Sequence, residues 1–283
     1  MSVHTQGESI PVVGLPVTVH RVAIFAATSW EIEAILDAGD GVERTRVAGF
    51  AASMFPCAKA WVYVVSTGIG PKRATQVAQA VLSEARWDAV ISAGFAGGLR
   101  SDETGSVLIG TGATAFAPGI TQGLPKRGGV GHPSLVRIAR AAAKEWAGRC
   151  RAGAFLSTDF VVWRANDKAA LAGLYDAIAI DMESAALAEI SERVAVPFLI
   201  VRTVSDRVTD SLPMDFNLFL HKAGRMYGWG QVLAYTLSHP SSTAGLLRLA
   251  RQSRIAGRQL TGFFRLLLPH LVRAEGATQV SES

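Results

Sequence analysis

Residues 178–206 read IAIDMESAALAEISERVAVPFLIVRTVSD, a pattern that predicts a strand, a turn, a helix and a second strand. Apolar side chains recur at helical spacing in the middle of this stretch, at Ala185, Leu187, Ala188 and Ile190. The run Val196–Val204 is typical of a strand that is buried on both faces of a parallel sheet. Ligands bind beyond the carboxyl ends of such strands. Because Asp181 and Glu183 follow the first strand and Asp206 ends the second, we predict that their carboxylates converge on one crevice.

The paired motifs Asp-Met-Glu-Ser-Ala at 181–185 and Val-Arg-Thr-Val-Ser-Asp at 201–206 resemble the signature of the purine nucleoside phosphorylase / methylthioadenosine nucleosidase superfamily. The resemblance implies that Met182 stacks on the purine and that Glu183 holds the ribose hydroxyls. It further implies that Asp206 protonates N7 of the leaving base, with Ser205 beside it in the substrate site. On local chemistry alone, an Asp after a buried strand is a helix N-cap and a Met beside small residues belongs to the core.

The first strand is predicted at residues 22–27, and a helix follows whose N-cap is Thr28 or Ser29. The position of Glu31 resembles that of the superfamily's Glu that activates the attacking water in nucleosidases, so we assign Glu31 a catalytic role. The alternative is a first-turn Glu that the helix dipole favours. The glycines of residues 68–70 lie between a later strand and its helix, and we interpret this turn as scaffold because Pro71 begins the helix.

The strand at residues 87–93 is predicted to end in the turn Gly94-Phe-Ala-Gly-Gly98. This turn resembles the superfamily's Gly-Ser-Ala-Gly-Gly turn, whose Ser and backbone amides hold the nucleophilic water or phosphate. We therefore place Gly94 and Phe95 in the substrate site, although Phe95 replaces the Ser. The Arg that hexameric phosphorylases carry three residues earlier falls at Ser92. With two polar contacts missing, phosphorolysis and hydrolysis both stay open.

The segment at residues 155–162 resembles the part of the superfamily fold that closes over the base and the 5′ substituent. Phe160, Val161 and Val162 are apolar there, which favours a hydrophobic 5′ group over a charged one. The preceding residues 117–134 are rich in Pro and Gly, and we interpret them as a lid or a connecting loop.

Composition restricts the class of protein. The chain has 283 residues and a hydrophobic content of 49%, enough for a large core. No apolar run reaches the ~18–20 residues of a membrane-spanning helix, and the first residues lack the features of a secretory signal. The two cysteines, Cys57 and Cys150, have no metal-ligand spacing, which suits a reducing cytoplasm. We predict no metal and no cofactor, with inorganic phosphate as an optional co-substrate.

The charge of the chain is concentrated at its C-terminal end. Six of the 28 Lys and Arg residues lie after Pro240, against only two of the 23 acidic residues. On a helical wheel five of these arginines fall within about 120° of arc: Arg248, Arg251, Arg254, Arg258 and Arg265. The opposite side carries Leu246, Leu249, Leu260, Phe263, Phe264 and Leu267. This pattern predicts a helix that lies on an anionic membrane surface; the alternative is a helix docked on the protein or at a subunit interface.

This tail also resembles one branch of the superfamily, the hopanoid-associated phosphorylases. The matching features are Leu212-Pro213 shortly after Asp206, the His239-Pro240 step, and Leu-Leu-Arg-Leu-Ala-Arg at 246–251. The branch implies a substrate, adenosylhopane, whose 5′ position bears an apolar polycycle and whose cleavage releases adenine. Alternatives are a soluble 5′-methylthioadenosine/S-adenosylhomocysteine nucleosidase and a nucleoside-binding or membrane-associated module without turnover.

The resemblance implies an α/β protein with a three-layer nucleoside-phosphorylase-like fold. Its central sheet is expected to be mixed and mostly parallel, flanked by helices and followed by a C-terminal amphipathic helix. We divide the chain into a loose leader (1–20), a catalytic domain (21–240) and a basic tail (241–283). The expected partners are an adenine nucleoside linked to a lipid, an anionic membrane surface and further copies of the chain, but not nucleic acid. We expect a cytoplasmic protein, peripheral at the inner face of the membrane.

Overall fold

The computed structural model describes residues 19–116, 126–219 and 241–273. Residues 1–18 of the predicted leader, half of the predicted lid (117–125) and the His239-Pro240 step lie outside these residues. Within them the predicted α/β fold is confirmed: a mixed sheet flanked by helices and followed by a long C-terminal helix.

In the described part of the chain the sheet has ten strands: β1 (Arg21–Ala26), β2 (Glu43–Val47), β3 (Phe50–Cys57), β4 (Ala60–Ser66), β5 (Ala89–Gly98), β6 (Val107–Phe116), β7 (Lys126–Val130), β8 (Cys150–Thr158), β9 (Ala179–Asp181) and β10 (Phe198–Asp206). Strands β4, β1, β5 and β10 run parallel to one another. Strands β6, β8 and β9 run the opposite way and return from β10 to β5, so that five strands close into a ring. The hairpin β2–β3 extends the sheet beyond β4.

The helices are α1 (Ser29–Leu36), α2 (Pro71–Glu84), α3 (Pro133–Glu145), α4 (Ala165–Leu174), α5 (Ser184–Arg193) and α6 (Ser241–Arg273), with a 3₁₀ turn at Phe216–Phe219. Helices α1, α3 and α6 cover one face of the sheet, where the apolar side chains of β1, β5 and β10 form a common core with them. Helices α2 and α5 cover the other face.

Two details of the sheet differ from the sequence-based interpretation. The segment Gly94–Gly98 is not a turn but the last part of β5, whose glycines pair with β10 and β9. Strand β9 is antiparallel to β5. The expected reason for the convergence of the carboxylates, that parallel strands end at one edge of the sheet, is therefore wrong. The carboxylates meet because the chain after Asp181 runs back along β5 towards Gly94, while β10 places Asp206 opposite Gly97.

Helix α6 packs on the protein with its apolar side. Among its described side chains eight apolar ones are buried, with exposed fractions of 0–8%: Ala256, Leu260, Phe263, Phe264, Leu267, Leu268, Leu271 and Val272. Phe263 lies edge-on to Trp146 of the α3 end at a ring distance of 6.1 Å. The predicted membrane-facing side therefore forms part of the core, as in the docked-helix alternative. The arginine side is exposed, including Arg251, Arg254 and Arg258.

Helix α4 was not predicted from the sequence, and it brings Lys168 into the interior, where its side chain is 0% exposed. The long helix α6 continues to Arg273 despite Pro269. Among the described helices none is long and apolar enough to cross a membrane.

Candidate active site

A carboxylate cluster lies beside the last part of β5. It consists of Glu31, Asp181 and Glu183 gathered around the guanidinium of Arg202, and all four side chains are buried. The Arg202 nitrogens lie 3.1 Å from Asp181 Oδ2, 3.4 Å from Glu183 Oε2 and 3.7 Å from Glu31 Oε1. Burial disfavours a charged guanidinium, but the three carboxylates outweigh that effect and hold the pKa of Arg202 above its usual value. One cation thus faces three acids.

Glu183 is held by one backbone amide as well as by Arg202. Its Oε1 accepts a 2.8 Å hydrogen bond from the Gly70 N–H, so the turn interpreted as scaffold also positions the site. Burial, countered by Arg202 and reinforced by Asp181 and Glu31, raises the pKa of Glu183 to about 7. Glu183 is consequently poised between its two protonation states near neutral pH.

Glu31 caps helix α1 and also contacts the last part of β5. It closes a capping box at the start of α1, where its Oε2 accepts hydrogen bonds from the backbone of Ala27 and Thr28 and from the Thr28 hydroxyl. Its Oε1 accepts a 2.7 Å hydrogen bond from the Phe95 N–H, which directs it to the glycine-rich end of β5. The cap therefore fixes a carboxylate beside the glycine-rich end of β5.

Gly94 is required where the cluster approaches the strand. Its φ is +151°, and an added Cβ would collide with Glu31 Oε1 and lie 2.8 Å from Arg202 Nη1. The neighbouring Phe95 carbonyl accepts a hydrogen bond from Arg202 at 3.2 Å. The Phe95 ring points away from these polar atoms and packs with the core cluster that includes α6. Its backbone, not its side chain, therefore lines the cluster.

Asp206 lies further along β5, opposite Gly97, and forms what we call the acid pair with Lys168. Lys168 Nζ donates to Asp206 Oδ2 at 2.6 Å and to the Arg207 carbonyl at 2.6 Å. The Ser205 hydroxyl donates to Asp206 Oδ1 at 2.7 Å. Both carboxylate oxygens of Asp206 therefore have polar donors.

The apolar residues 160–162, which are predicted to contact the 5′ substituent, are hydrogen-bonded to the loop after Asp206. Asn217 donates to the Val161 carbonyl at 2.9 Å and accepts from the Val161 N–H at 2.7 Å. Val162 is buried, and Phe160 packs with the same apolar cluster. Met182 is half-buried and its Cε lies near Gly70. The loop after Asp206 thereby fixes the apolar segment across from it.

Two polar residues were missed as site residues. Arg202 stood inside the quoted motif without a role, although a charged residue in a fully apolar strand signals buried partners. No feature of the sequence indicated Lys168 as a site residue, because it lies 38 positions before Asp206 in a helix that the sequence pattern did not predict. Among the described residues there is no group of three or more His, Cys, Asp or Glu that could hold a metal ion.

Comparison with known proteins shows the family of the chain. Residues 21–225 match the family model described as the Phosphorylase superfamily, and the chain belongs to that superfamily. It is thus an enzyme of the nucleosidase and phosphorylase class, which cleaves N-glycosidic bonds.

Two relatives illustrate the similarity. The chain is 28% identical over 217 residues to the 5′-methylthioadenosine/S-adenosylhomocysteine nucleosidase of Shewanella piezotolerans, covering 72% of this chain and 94% of the relative. It is 28% identical over 215 residues to the enzyme of the same name from Bacillus cytotoxicus, covering 72% and 93%.

Solved structures share the fold. The Neisseria meningitidis 5′-methylthioadenosine/S-adenosylhomocysteine nucleosidase, in complex with methylthio-immucillin-A, superposes with a TM-score of 0.68 at 21% identity, covering 89% of this chain and 99% of that one. Futalosine hydrolase of Helicobacter pylori gives 0.66 at 18% identity, covering 88% and 97%. Because 89% of 283 residues is more than the 240 that precede α6, the match with the first structure must extend into the C-terminal region.

Proposed function

We propose that this enzyme hydrolyses the N-glycosidic bond of an adenine nucleoside whose 5′ substituent is apolar. The first candidate within this class is adenosylhopane, the substrate that the resemblance of the tail to the hopanoid-associated branch implies. The second candidate is methylthioadenosine, which is favoured by the names of the relatives. The released base is adenine in both cases.

The observation that carries the proposal is the separation of two polar groups along one strand. The carboxylate cluster lies at Gly94 and Phe95, and the acid pair lies at Gly97. A nucleoside laid along β5 has its ribose at the cluster and its purine at the acid pair. Cleavage of its glycosidic bond needs both, because the sugar develops positive charge while the base gains a proton.

The residues at the sugar end suit a ribosyl cation. Glu183, on the chain that runs back along β5, would accept hydrogen bonds from the ribose hydroxyls and orient the ring. The negative charge of Glu183 and Glu31 would stabilise the cation as the bond to the base breaks. At the other end Asp206 would protonate N7, a contribution of typically ~10²–10⁴-fold in rate.

The charge of the cluster favours water over phosphate as the nucleophile. Arg202 is the cation of the cluster, and three carboxylates lie within 3.7 Å of it. The surplus is therefore negative, even when Glu183 carries a proton. Two like unit charges about 4 Å apart repel by about 4 kcal/mol at an effective dielectric constant of about 20. A phosphate dianion at this place would meet that repulsion, whereas a water molecule would find a carboxylate to accept its proton.

The preference for an apolar 5′ group is inferred from residues 160–162, which are held by the loop that ends in the 3₁₀ turn. Val161 is fixed by Asn217, and Phe160 and Val162 add apolar surface. A charged 5′ group would lose its hydration against the apolar side chains of Phe160, Val161 and Val162. This reasoning fits a thioether or a hydrocarbon equally well.

Contact with a membrane is proposed through the arginine side of α6 rather than by insertion of its phenylalanines. Arg251, Arg254 and Arg258 are exposed, together with 69% of Leu247 and 37% of Ile255. Each cation near an anionic surface contributes ~1 kcal/mol. We expect full-length protein to bind anionic vesicles at low salt and to release them at high salt. Replacing the three arginines by Ser should remove vesicle binding and leave turnover of a soluble nucleoside unchanged.

The decisive experiment is product analysis with purified protein. Adenosylhopane in vesicles and methylthioadenosine in solution are each incubated with and without phosphate. We expect adenine together with the free ribose derivative, and the same rate in both buffers. A ribose 1-phosphate product would refute hydrolysis, and release of adenine from methylthioadenosine alone would identify the second candidate. Complete absence of adenine would support a binding module instead.

A further inference from the structure

Lys168 is a buried cation that the general scheme of base protonation does not use. It lies in the first turn of α4, its side chain is 0% exposed, and its ammonium lies 2.6 Å from Asp206 Oδ2. A lysine is almost never fully buried unless it is paired. Removing an ammonium from water costs several kcal/mol, which an ion pair offsets only with good geometry and further hydrogen bonds.

The surroundings of Lys168 meet those conditions and also orient Asp206. Nζ makes a second short hydrogen bond, 2.6 Å, to the Arg207 carbonyl, which fixes the ammonium beside the end of β10. The Ser205 hydroxyl occupies Asp206 Oδ1, so the plane of the carboxylate is held from both of its oxygens. Gly97 leaves the space for this arrangement, since a Cβ there would lie 3.2 Å from Asp206 Oδ2 and 3.7 Å from Lys168 Cδ.

We propose that Lys168 is the positioning residue of the acid: it aims the Asp206 carboxyl at the purine and stabilises the carboxylate that remains after the proton has left. The inference rests on the proposed function. It assigns to α4, which the superfamily motifs of this sequence do not include, a part in leaving-group activation.

The O–H bond of protonated Asp206 breaks and an N7–H bond forms, while the electron pair of the C1′–N9 bond moves into the purine. Adenine leaves as a neutral molecule, water adds to C1′, and one proton of that water passes to a carboxylate or to solvent. Asp206 is then an anion next to the Lys168 ammonium and regains its proton from solvent. The ion pair is stronger after proton transfer than before, so it favours the transition state over the bound substrate.

A purely structural role predicts something different. If Lys168 only ties α4 to the Arg207 carbonyl, its loss lowers stability and affects all substrates to the same extent. If it assists protonation of the base, its loss is felt only when the leaving group needs a proton. Two substrates with the same sugar and different leaving groups separate these roles.

The test compares Lys168→Met, Lys168→Gln and Lys168→Arg with wild type. The substrates are methylthioadenosine and a 4-nitrophenyl riboside bearing the same 5′-methylthio group, whose nitrophenolate leaves without protonation. We expect kcat on methylthioadenosine to fall by ~10–100-fold in the Met and Gln variants and to recover in part with Arg. On the nitrophenyl riboside, kcat should stay within about threefold. Lys144→Met, at an exposed position in the last turn of α3, serves as the matched control and should change neither rate.

The outcomes are distinct. Equal losses on both substrates in a folded variant, or an unchanged rate on methylthioadenosine, would overturn the role of Lys168 while the enzyme remains a nucleosidase. The Gln variant keeps hydrogen-bonding capacity without charge and decides the question if the Met variant does not fold. If wild type releases no adenine from either nucleoside, the proposed function fails first and this inference with it.

Discussion

Replacement of Phe263 by Ala tests whether the apolar side of α6 belongs to the core. The Phe263 ring is 0% exposed and stands at 79° to the Trp146 ring, with the two centroids 6.1 Å apart. Phe→Ala changes in cores cost about 3–5 kcal/mol, because the transfer free energy is lost and a cavity remains. Since a domain's free energy of unfolding is about 5–15 kcal/mol, this single change removes a large share of it.

The expected result is a clear loss of thermal stability. One kcal/mol shifts Tm by about 2–4 °C in a chain of 150–250 residues, so Phe263→Ala should lower Tm by about 6–20 °C. Urea unfolding followed by circular dichroism gives the same comparison at 25 °C. Arg258→Ala, on the exposed side of the same helix, is the control and should stay within about 0.5 kcal/mol of wild type.

Vesicle binding supplies the second measurement. Because the ring lies inside the protein, folded Phe263→Ala should sediment with anionic vesicles as wild type does. Truncation after Pro240 should prevent folding, because it removes eight buried apolar side chains. Burial of each of the larger ones contributes about 1.5–3 kcal/mol to the free energy of unfolding. A truncated chain that folds normally, or a Phe263→Ala variant with unchanged Tm and no vesicle binding, would refute the docked helix and restore the interfacial one.

Further predictions concern the site itself. Asp206→Asn keeps the shape of the side chain but cannot deliver a proton, so kcat for adenine release should fall at least ~10²-fold, with circular dichroism confirming the fold. Glu183→Gln should reduce kcat/KM for ribosides far more than for 2′-deoxyribosides, and equal losses would remove Glu183 from the sugar site. The pKa of Glu183 is raised from 4.5 to about 7, so its contribution to the free energy of unfolding is complete below pH about 4.5 and is lost as pH rises through about 7. Over the same pH range kcat/KM should rise. Glu183→Gln should show neither the pH-dependent change in unfolding nor the pH-dependent change in kcat/KM. Gly94→Ala should abolish turnover and lower Tm, because its Cβ collides with Glu31 at a φ of +151°; a variant with normal kcat would show that the cluster can move.

Local sequence pattern was sufficient for most of the elements and for the predicted acids. Strand β10, helix α5 and the capped start of α1 follow from β-branched runs, helical spacing and a capping box, all of which depend on neighbours within a few residues. Glu31, Glu183 and Asp206 could be proposed because each follows or ends a recognisable strand and matches a position in the motifs of the superfamily that the sequence resembles. Their assigned roles in catalysis stay predictions.

The partners of those acids were decided by contacts between residues far apart in the chain. Arg202 reaches Glu31 across 171 positions only because β10 lies beside β5, and Lys168 reaches Asp206 because α4 packs against the strand end. The antiparallel course of β9 likewise depends on the closure of the sheet into a ring. Periodicity within one segment contains no information about which other segment it meets.

For helix α6, the sequence pattern determined the helix and its two sides, and the tertiary structure determined what its apolar side contacts. Its amphipathic pattern correctly predicted a helix with an arginine side and a Leu/Phe side. The pattern is identical whether the apolar side meets lipid or protein, because both environments remove that side from water. Only the tertiary structure, with an uncovered face of β1, β5 and β10 and the neighbouring helices α1 and α3, shows that Phe263 and Phe264 fill a protein core.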